Sequence, residues 1–417
     1  MLSTKEIKNT QQASHYFLQK DNYYTREEGI QKSEWYGKGA STLQLTGEID
    51  SEQFNALLEG RLPTGQQLGK KVDGDIQHRA GWDLTFTAPK SVSLLALLGG
   101  DTRLLEAHRQ AVKVALSDIE RGCSQARLKK PTGMIFQNTQ NMVASLFHHD
   151  LSRAQDPQLH THCVVFNMTQ RTDGHWRSHA SQLGNYGEQA QATVNGFIER
   201  LRHHKRYYGQ LYRNELAYQI KQLGYEIVVD RATGFFEIAG ISREVIDRFS
   251  QRRRDIVTHL EEQDFAGGKA SALATLKTRE TKKIIERETL AHQWEQRAQS
   301  LGFDCKKIIE NSVSVPFADN VYLPTQPNQE EHTAHLALQQ ATQELSRFQS
   351  TFTLEAVITL AAQYSLHHTV RTEILLTTLK SFVSSGELIE LPNDQHKTVF
   401  MAKTTLDAEQ RLLACVF

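Results

Sequence analysis

"PQLHTHCVVFNMT" (residues 157–169) places two histidines, His160 and His162, one residue apart at the mouth of an apolar run. Its β-branched and aromatic content reads as a strand. Alternate residues of a strand share a face, so the two imidazoles point the same way, about 7 Å apart along the chain. A pair so placed can grip one metal ion with little backbone distortion; the alternative is a pair of hydrogen-bonded structural histidines. Just upstream, "FHHD" supplies His148 and His149, and the intervening "LSRAQDPQ" is turn-like. Two strands joined by that turn bring one member of the pair beside the His160–His162 face. Three histidines with open coordination positions are the layout of a catalytic ion, since structural zinc sites usually close with a fourth protein ligand. Neutral nitrogen donors suit Zn, Mn, Co or Ni better than Mg.

A second strand, "GWDLTFTAPKSVS" (81–93), sets Trp82, Leu84 and Phe86 on one face and Asp83, Thr85 and Thr87 on the other. Asp83 is either a solvated surface group, or a carboxylate that accepts a proton or holds a ligating histidine by its second nitrogen. Near the start, "ASHYFLQKDNYYTREEG" carries Tyr16, Tyr23 and Tyr24. Their spacing allows packing of one helix face onto a core, but the surroundings are polar, which suits phenols that work at a surface. An unperturbed phenol has a pKa of about 10, so a tyrosine nucleophile needs a base or an electropositive site beside it.

The 417 residues are enough for two or three domains. Four scattered cysteines without a CxxC pair read as reduced thiols of a cytoplasmic protein. Neither a secretory signal nor a run apolar enough to span a membrane is evident, so no membrane insertion is expected. Lysines plus arginines equal aspartates plus glutamates at 48 each, yet unevenly: residues 1–310 hold 42 basic and 37 acidic groups, residues 311–417 hold 6 and 11. A polyanion would therefore engage the first part. Helical periodicity covers 103–120, with Leu105, Val112, Leu116 and Ile119 as its stripe, and 193–223, interrupted early by Gly196. Strands and helices mix without βαβ alternation, which predicts an α+β fold. Residues 1–313 read as one domain and the proline-containing stretch 314–333 as a linker. Residues 334–417 read as the start of a second, winged-helix-like module, cut short inside the helical pattern "DAEQRLLACVF".

The tyrosine cluster, "DLTFTAPKSVS" and "HHDLSRAQDPQLHTH", in that order and spacing, closely resemble the MobF-type relaxases of conjugative plasmids, members of the larger group of His-hydrophobic-His nucleases. The similarity extends through "EWYGKGASTLQLTGEID" (34–50), "NMTQRTDGHWR" (167–177) and "LYRNELAYQIKQLGYEI" (211–227), and covers at least residues 1–300. It implies an antiparallel-sheet palm flanked by helices, with helical extensions closing over DNA. It implies His149, His160 and His162 as ligands of one divalent ion (Mg, Mn or Zn), with His148 outside the set, and Asp83 as the orienting or proton-accepting carboxylate. Tyr16 matches the first nucleophile, and Tyr23 or Tyr24 the second. Many relatives carry adjacent tyrosines at the first position; here the neighbour is Phe17.

The activity so implied is site- and strand-specific nicking and rejoining at a plasmid transfer origin, through a 5′-phosphotyrosyl intermediate. The implied partners are single-stranded origin DNA with an adjacent hairpin, relaxosome accessory proteins and a type IV coupling protein. The implied location is the bacterial cytoplasm, with export alongside DNA through a type IV secretion channel. Full-length relatives continue into a helicase; the phosphate-loop pattern GxxxxGK[ST] does not occur here, so this chain should lack an ATP site. DNA contacts are expected from "LRHHKRYYGQLYR" (201–213), whose Arg202, Lys205, Arg206 and Arg213 neutralise phosphates while interleaved tyrosines stack on bases, and from Arg153. The competing readings are a rolling-circle replication initiator with the same active site, and a DNA-binding module without cleavage.

Overall fold

The computed structural model describes residues 1–8, 10–17, 33–131, 133–181, 195–230, 233–262, 286–314, 327–391 and 399–416. Five antiparallel strands form the central sheet: β1 (Leu2–Ile7), β2 (Ser33–Tyr36), β3 (Gly81–Thr87), β4 (Ala144–Leu151) and β5 (Pro157–Phe166), in the order β1-β3-β5-β4-β2. The α+β expectation holds, and the three strands read from sequence are its three central members.

Register follows from the hydrophobic alternation. Trp82, Leu84 and Phe86 of β3, Leu146 of β4, and Cys163 and Val165 of β5 enter one buried cluster. Two helices cover that face: α2 (Arg103–Cys123) and α3 (Lys205–Gln222). All four stripe residues of α2 are buried. The opposite face has two ends. At one, Phe147, Val164 and Phe166 pack against Phe17 of α1 (Thr10–Phe17) and Phe54 of the helix Ser51–Leu58. At the other lie His149, His160 and His162, each an even number of residues along its strand from Phe147 or Val164, together with Asp83 and Thr85, which alternate with Trp82, Leu84 and Phe86 of the opposite face.

The long helical reading over 193–223 resolves into two pieces. Gly196, at φ 99°, precedes the helix Phe197–His203, and His204 separates it from α3. Helix α4 (Arg287–Ser300) packs beside the turn joining β4 to β5. Its Trp294 Nε1 donates to Gln155 O at 2.9 Å, and Arg297 pairs with the buried Asp156 at 2.8 Å.

Part of the expected linker is helical: α5 runs from Pro327 to Ser346, proline being well tolerated in a first helical turn. Residues 315–326 lie outside the described residues. Beyond α5 come α6 (Leu354–Tyr364), α7 (Thr372–Ser384) and a small antiparallel sheet of β6 (Phe352–Thr353), β7 (Leu388–Leu391) and β8 (Val399–Ala402), ordered β6-β8-β7. Three helices and a three-stranded antiparallel sheet make up this unit, which we propose is the winged-helix-like module. Leu338, Val357, Ile358 and Ala361 of this unit share a continuous buried cluster with Leu216 and Ile220 of α3. Among the described residues, no helix is long and apolar enough to cross a membrane.

Candidate active site

Strand pairing brings the three expected histidines together. His149 lies opposite His160, and Phe147 opposite His162, across β4 and β5. Ring centroids are 5.2 Å apart for His149–His160, 4.9 Å for His149–His162 and 5.1 Å for His160–His162. One nitrogen from each lies within 4.8 Å of the others. The backbone and a carboxylate then set the tautomers. His160 Nδ1–H donates to Gln158 O at 2.8 Å. His162 Nδ1–H donates to Asp83, with 2.9 Å to Oδ1 and 3.0 Å to Oδ2. Both rings therefore keep Nε2 as the lone-pair donor. Thr85 Oγ1 lies 3.3 Å from Asp83 Oδ1 and 3.1 Å from His162 Nδ1, which braces the carboxylate. Three converging imidazole nitrogens on a β-hairpin, with the outward nitrogens of His160 and His162 already hydrogen-bonded, fit a divalent ion.

Tyr16 stands over this cluster. Its Oη is 3.4 Å from His162 Nε2, and its ring meets His162 edge-on with centroids 5.5 Å apart. The neighbour Phe17 holds it there. Phe17 stacks on Phe147 at 5.5 Å and meets His162 at 5.3 Å, so the α1 terminus is pinned to the sheet by an aromatic contact. Phe17 is nearly buried at 4% exposure, whereas Tyr16 is half-buried. Tyr23 and Tyr24 lie outside the described residues.

His148 points to the other face of β4. Its Nδ1 is 3.0 Å from Thr161 Oγ1 and its Nε2 3.4 Å from Glu34 Oε1. Burial lowers its basicity. Burial alone would raise the Glu34 pKa, but hydrogen bonds from His148 and Lys113 bring it down to about 2.

The expected DNA surface needs correction. Arg202, Lys205 and Arg206 are exposed, but Tyr207, Tyr208 and Tyr212 are 6%, 3% and 0% exposed. Helical periodicity turns those rings onto the core, where Tyr208 meets Cys123 Sγ at 3.2 Å and Tyr212 meets His108 at 2.7 Å. They do not stack on bases. Arg213 also turns inward: it bonds Gln210 Oε1 at 2.6 Å, lies 4.7 Å over the Phe235 ring, and burial pulls its pKa down to about 10. Arg153 is half-buried in the β4–β5 turn. Thr85 and Gln158 were missed as site residues; only period-two alternation marks Thr85, and Gln158 acts through its backbone.

An antiparallel sheet with three converging imidazoles and a phenol at their edge defines the class of a His-hydrophobic-His relaxase domain. The family model described as TrwC relaxase matches residues 10–301. The multifunctional conjugation protein TraI of Escherichia coli (strain K12) is 39% identical over 306 residues, which are 73% of this chain and 16% of that protein. This chain thus spans about a sixth of its curated relatives. Among solved structures, the metal-free conjugative relaxase TrwC in complex with oriT DNA is 34% identical with a TM-score of 0.63, covering 73% of this chain and all of the other. TrwC with a 27-mer comprising the recognition hairpin and the cleavage site is 33% identical at a TM-score of 0.62, with the same coverage. A metal-bound form of the TrwC complex is 34% identical at 0.63, again with that coverage. The chain belongs to the TrwC relaxase family.

Proposed function

We propose that this chain nicks and rejoins one DNA strand at a plasmid transfer origin, with Tyr16 as the first nucleophile. The observation that carries it is the 3.4 Å separation of Tyr16 Oη from His162 Nε2, at the rim of the imidazole cluster. His149, His160 and His162 hold one divalent ion, with Mn, Zn and Mg as the candidates. When bound, such an ion draws charge from the oxygens of the scissile phosphate. Tyr16 attacks the phosphorus in line and gives up its proton. The bond to the 3′ oxygen breaks, that oxygen takes up a proton, and the 5′ phosphate remains on Tyr16. One ester replaces another, so the step needs no nucleotide energy source and runs backwards to reseal the strand. Asp83 acts as the orienting carboxylate, because both of its oxygens face His162 Nδ1.

Family membership supports a transfer origin over a replication origin, since the relatives are conjugation proteins. Single-stranded origin DNA with an adjacent hairpin is the proposed substrate, met by the exposed Arg202, Lys205 and Arg206 and by Arg153. Accessory relaxosome proteins and a coupling protein belong to the same reading, as does a cytoplasmic location. Tyr23 or Tyr24 would carry a second transfer. The domain division near residue 314 is part of the proposal, supported by a family match that stops at residue 301.

The test is incubation with single-stranded oligonucleotides carrying a candidate origin, followed by a denaturing gel. A protein band shifted by covalent DNA is expected, lost in Tyr16→Phe and after chelation. Undiminished cleavage by Tyr16→Phe would remove Tyr16 from the role.

A further inference from the structure

Behind the imidazole cluster, on the opposite face of the same hairpin, lies a second set of polar side chains in an otherwise apolar layer. Thr161 sits between His160 and His162, so strand alternation sends its side chain to the far face. There its Oγ1 is 3.0 Å from His148 Nδ1 and 2.9 Å from His108 Nε2, and His108 Nδ1 is 2.7 Å from Tyr212 Oη. At the other end His148 Nε2 is 3.4 Å from Glu34 Oε1, and Lys113 Nζ is 2.9 Å from Glu34 Oε2. Thr161, His148, His108 and Tyr212 are each 0% exposed. The row draws on five elements: Glu34 from β2, His148 from β4, Thr161 from β5, His108 and Lys113 from α2, and Tyr212 from α3.

We propose that this row is a directional hydrogen-bond relay, with Thr161 at its centre, which positions the three metal-binding imidazoles from behind. The inference rests on the metal-site reading above. Its direction follows from donor counting. Glu34, paired with Lys113, is a carboxylate and can only accept, so His148 Nε2 carries a proton. Neutral His148 then has Nδ1 as an acceptor, and the one proton of the Thr161 hydroxyl goes to it. Thr161 Oγ1 in turn accepts from His108 Nε2–H, leaving His108 Nδ1 to accept from the Tyr212 hydroxyl. With both imidazoles neutral, every bond has one donor and one acceptor, and reversing any of them leaves two protons or two lone pairs facing each other.

Such a row reads the register of β4 against β5. His148 lies opposite Thr161 just as His149 lies opposite His160. A slip of one residue would exchange the two faces, remove His160 and His162 from the site, and break the relay at the same moment. Apolar packing alone tolerates small shifts of the hairpin; a chain of buried hydrogen bonds does not, because each unpaired member loses a partner it cannot regain from water. Thr161, His148 and His108 are therefore positioning residues, acting on metal and phosphate only through the histidines in front of them.

The test compares Thr161→Val, which keeps shape but removes the hydroxyl, with Thr161→Ser, which keeps the hydroxyl. Binding of Co(II) to the full chain without DNA is followed by calorimetry and by the visible spectrum of the bound ion. Thr161→Val should weaken Co(II) binding by about 10-fold or more, the range seen when groups behind metal ligands are removed. Thr161→Ser should stay within about twofold of the parent, and oligonucleotide affinity should be similar in all three. Equal Co(II) affinity in parent and Thr161→Val would overturn the relay. A parent that binds no Co(II), with His160→Ala indistinguishable from it, would instead overturn the metal site, and the relay's purpose with it. Should Thr161→Val not fold, nitrogen-15 spectra of the histidine-labelled parent decide, with resonances assigned by His108→Gln and His148→Gln. Both residues must be Nε2–H tautomers, and either one found as Nδ1–H or doubly protonated sinks the proposal.

Discussion

Asp83 shows how one carboxylate governs a site it need not enter. Its oxygens hold His162 Nδ1–H at 2.9 and 3.0 Å, so the nitrogen that faces Tyr16 is the one with a lone pair. Replacing Asp83 with Asn keeps the shape but removes the charge that favours this tautomer. Asp83→Asn should weaken Mn(II) binding about 10- to 100-fold while leaving oligonucleotide affinity nearly unchanged; titration of the metal with and without DNA checks it. Glu34 gives a second prediction, with the sign set by its lowered pKa. A carboxyl that titrates at about 2 in the folded chain, against an ordinary 4.5, adds stability above pH 4.5 that is lost as the pH falls toward 2. The difference in urea midpoint between the parent and Glu34→Gln should be full at pH 7 and shrink across that acid window. A constant difference from pH 7 to pH 2 would mean that Glu34 stabilises by packing alone. Strand alternation made His160 and His162 legible as a same-face pair and the His148–His149 dipeptide as their neighbour, whereas the choice of His149 and the roles given to Asp83 and Tyr16 came from the family resemblance. Glu34, His108 and Tyr212 were not legible, because only tertiary packing brings them to Thr161.

At the scale of elements, the β4–β5 hairpin is precise at its base and clamped at its turn. Asp156, 1% exposed, accepts from Arg297 at 2.8 Å and from Gln251 N and Nε2 at 2.8 and 2.7 Å. Lys90 Nζ donates to Pro157 O at 2.7 Å, and burial brings the Lys90 pKa down to about 8. Asp150, also buried, pairs with Arg287 at the start of α4. One aspartate at the end of β4 and one in the turn thus anchor both ends of a helix that is far away in sequence. Asp156→Ala should cost about 1–3 kcal/mol, less than a fully buried pair because Arg297 remains partly solvated. Hydrogen exchange should rise in the turn and in α4 before it rises in β3. Equal protection throughout would show that the clamp contributes nothing to local order. The elements themselves were largely legible: the three central strands and α2 follow from periodicity. The buried tyrosines of α3 were misread, because a basic, aromatic stretch looks the same whether its rings face solvent or a neighbouring helix; only packing against α2 decides.

Across the whole molecule, the polar break seen in the sequence does not correspond to a break in the core. Residues 314–333 are rich in prolines and polar groups, yet α5 begins at Pro327 and Leu338 joins the cluster that holds Leu216 and Ile220. The winged unit is tied to α3 by polar contacts as well: Lys221 Nζ donates to His367 O at 2.9 Å, and His204 Nε2 lies 3.7 Å from Glu355 Oε1. Composition reports what a segment exposes, not what its flanking helices bury, so continuity of this kind escapes a linear reading. The continuity has a thermodynamic consequence. If the shared cluster melts as one unit, a cavity made in the winged unit must be felt by the sheet that carries the imidazoles. Ile358 is 0% exposed on α6. Ile358→Ala should cost about 2–5 kcal/mol, and the loss should appear as one displaced transition by every probe. Amide exchange at Val165 of β5, whose side chain belongs to the same cluster, should accelerate in proportion. An early transition confined to residues 327–402, with β5 protection untouched, would show instead two cores that touch without cooperating.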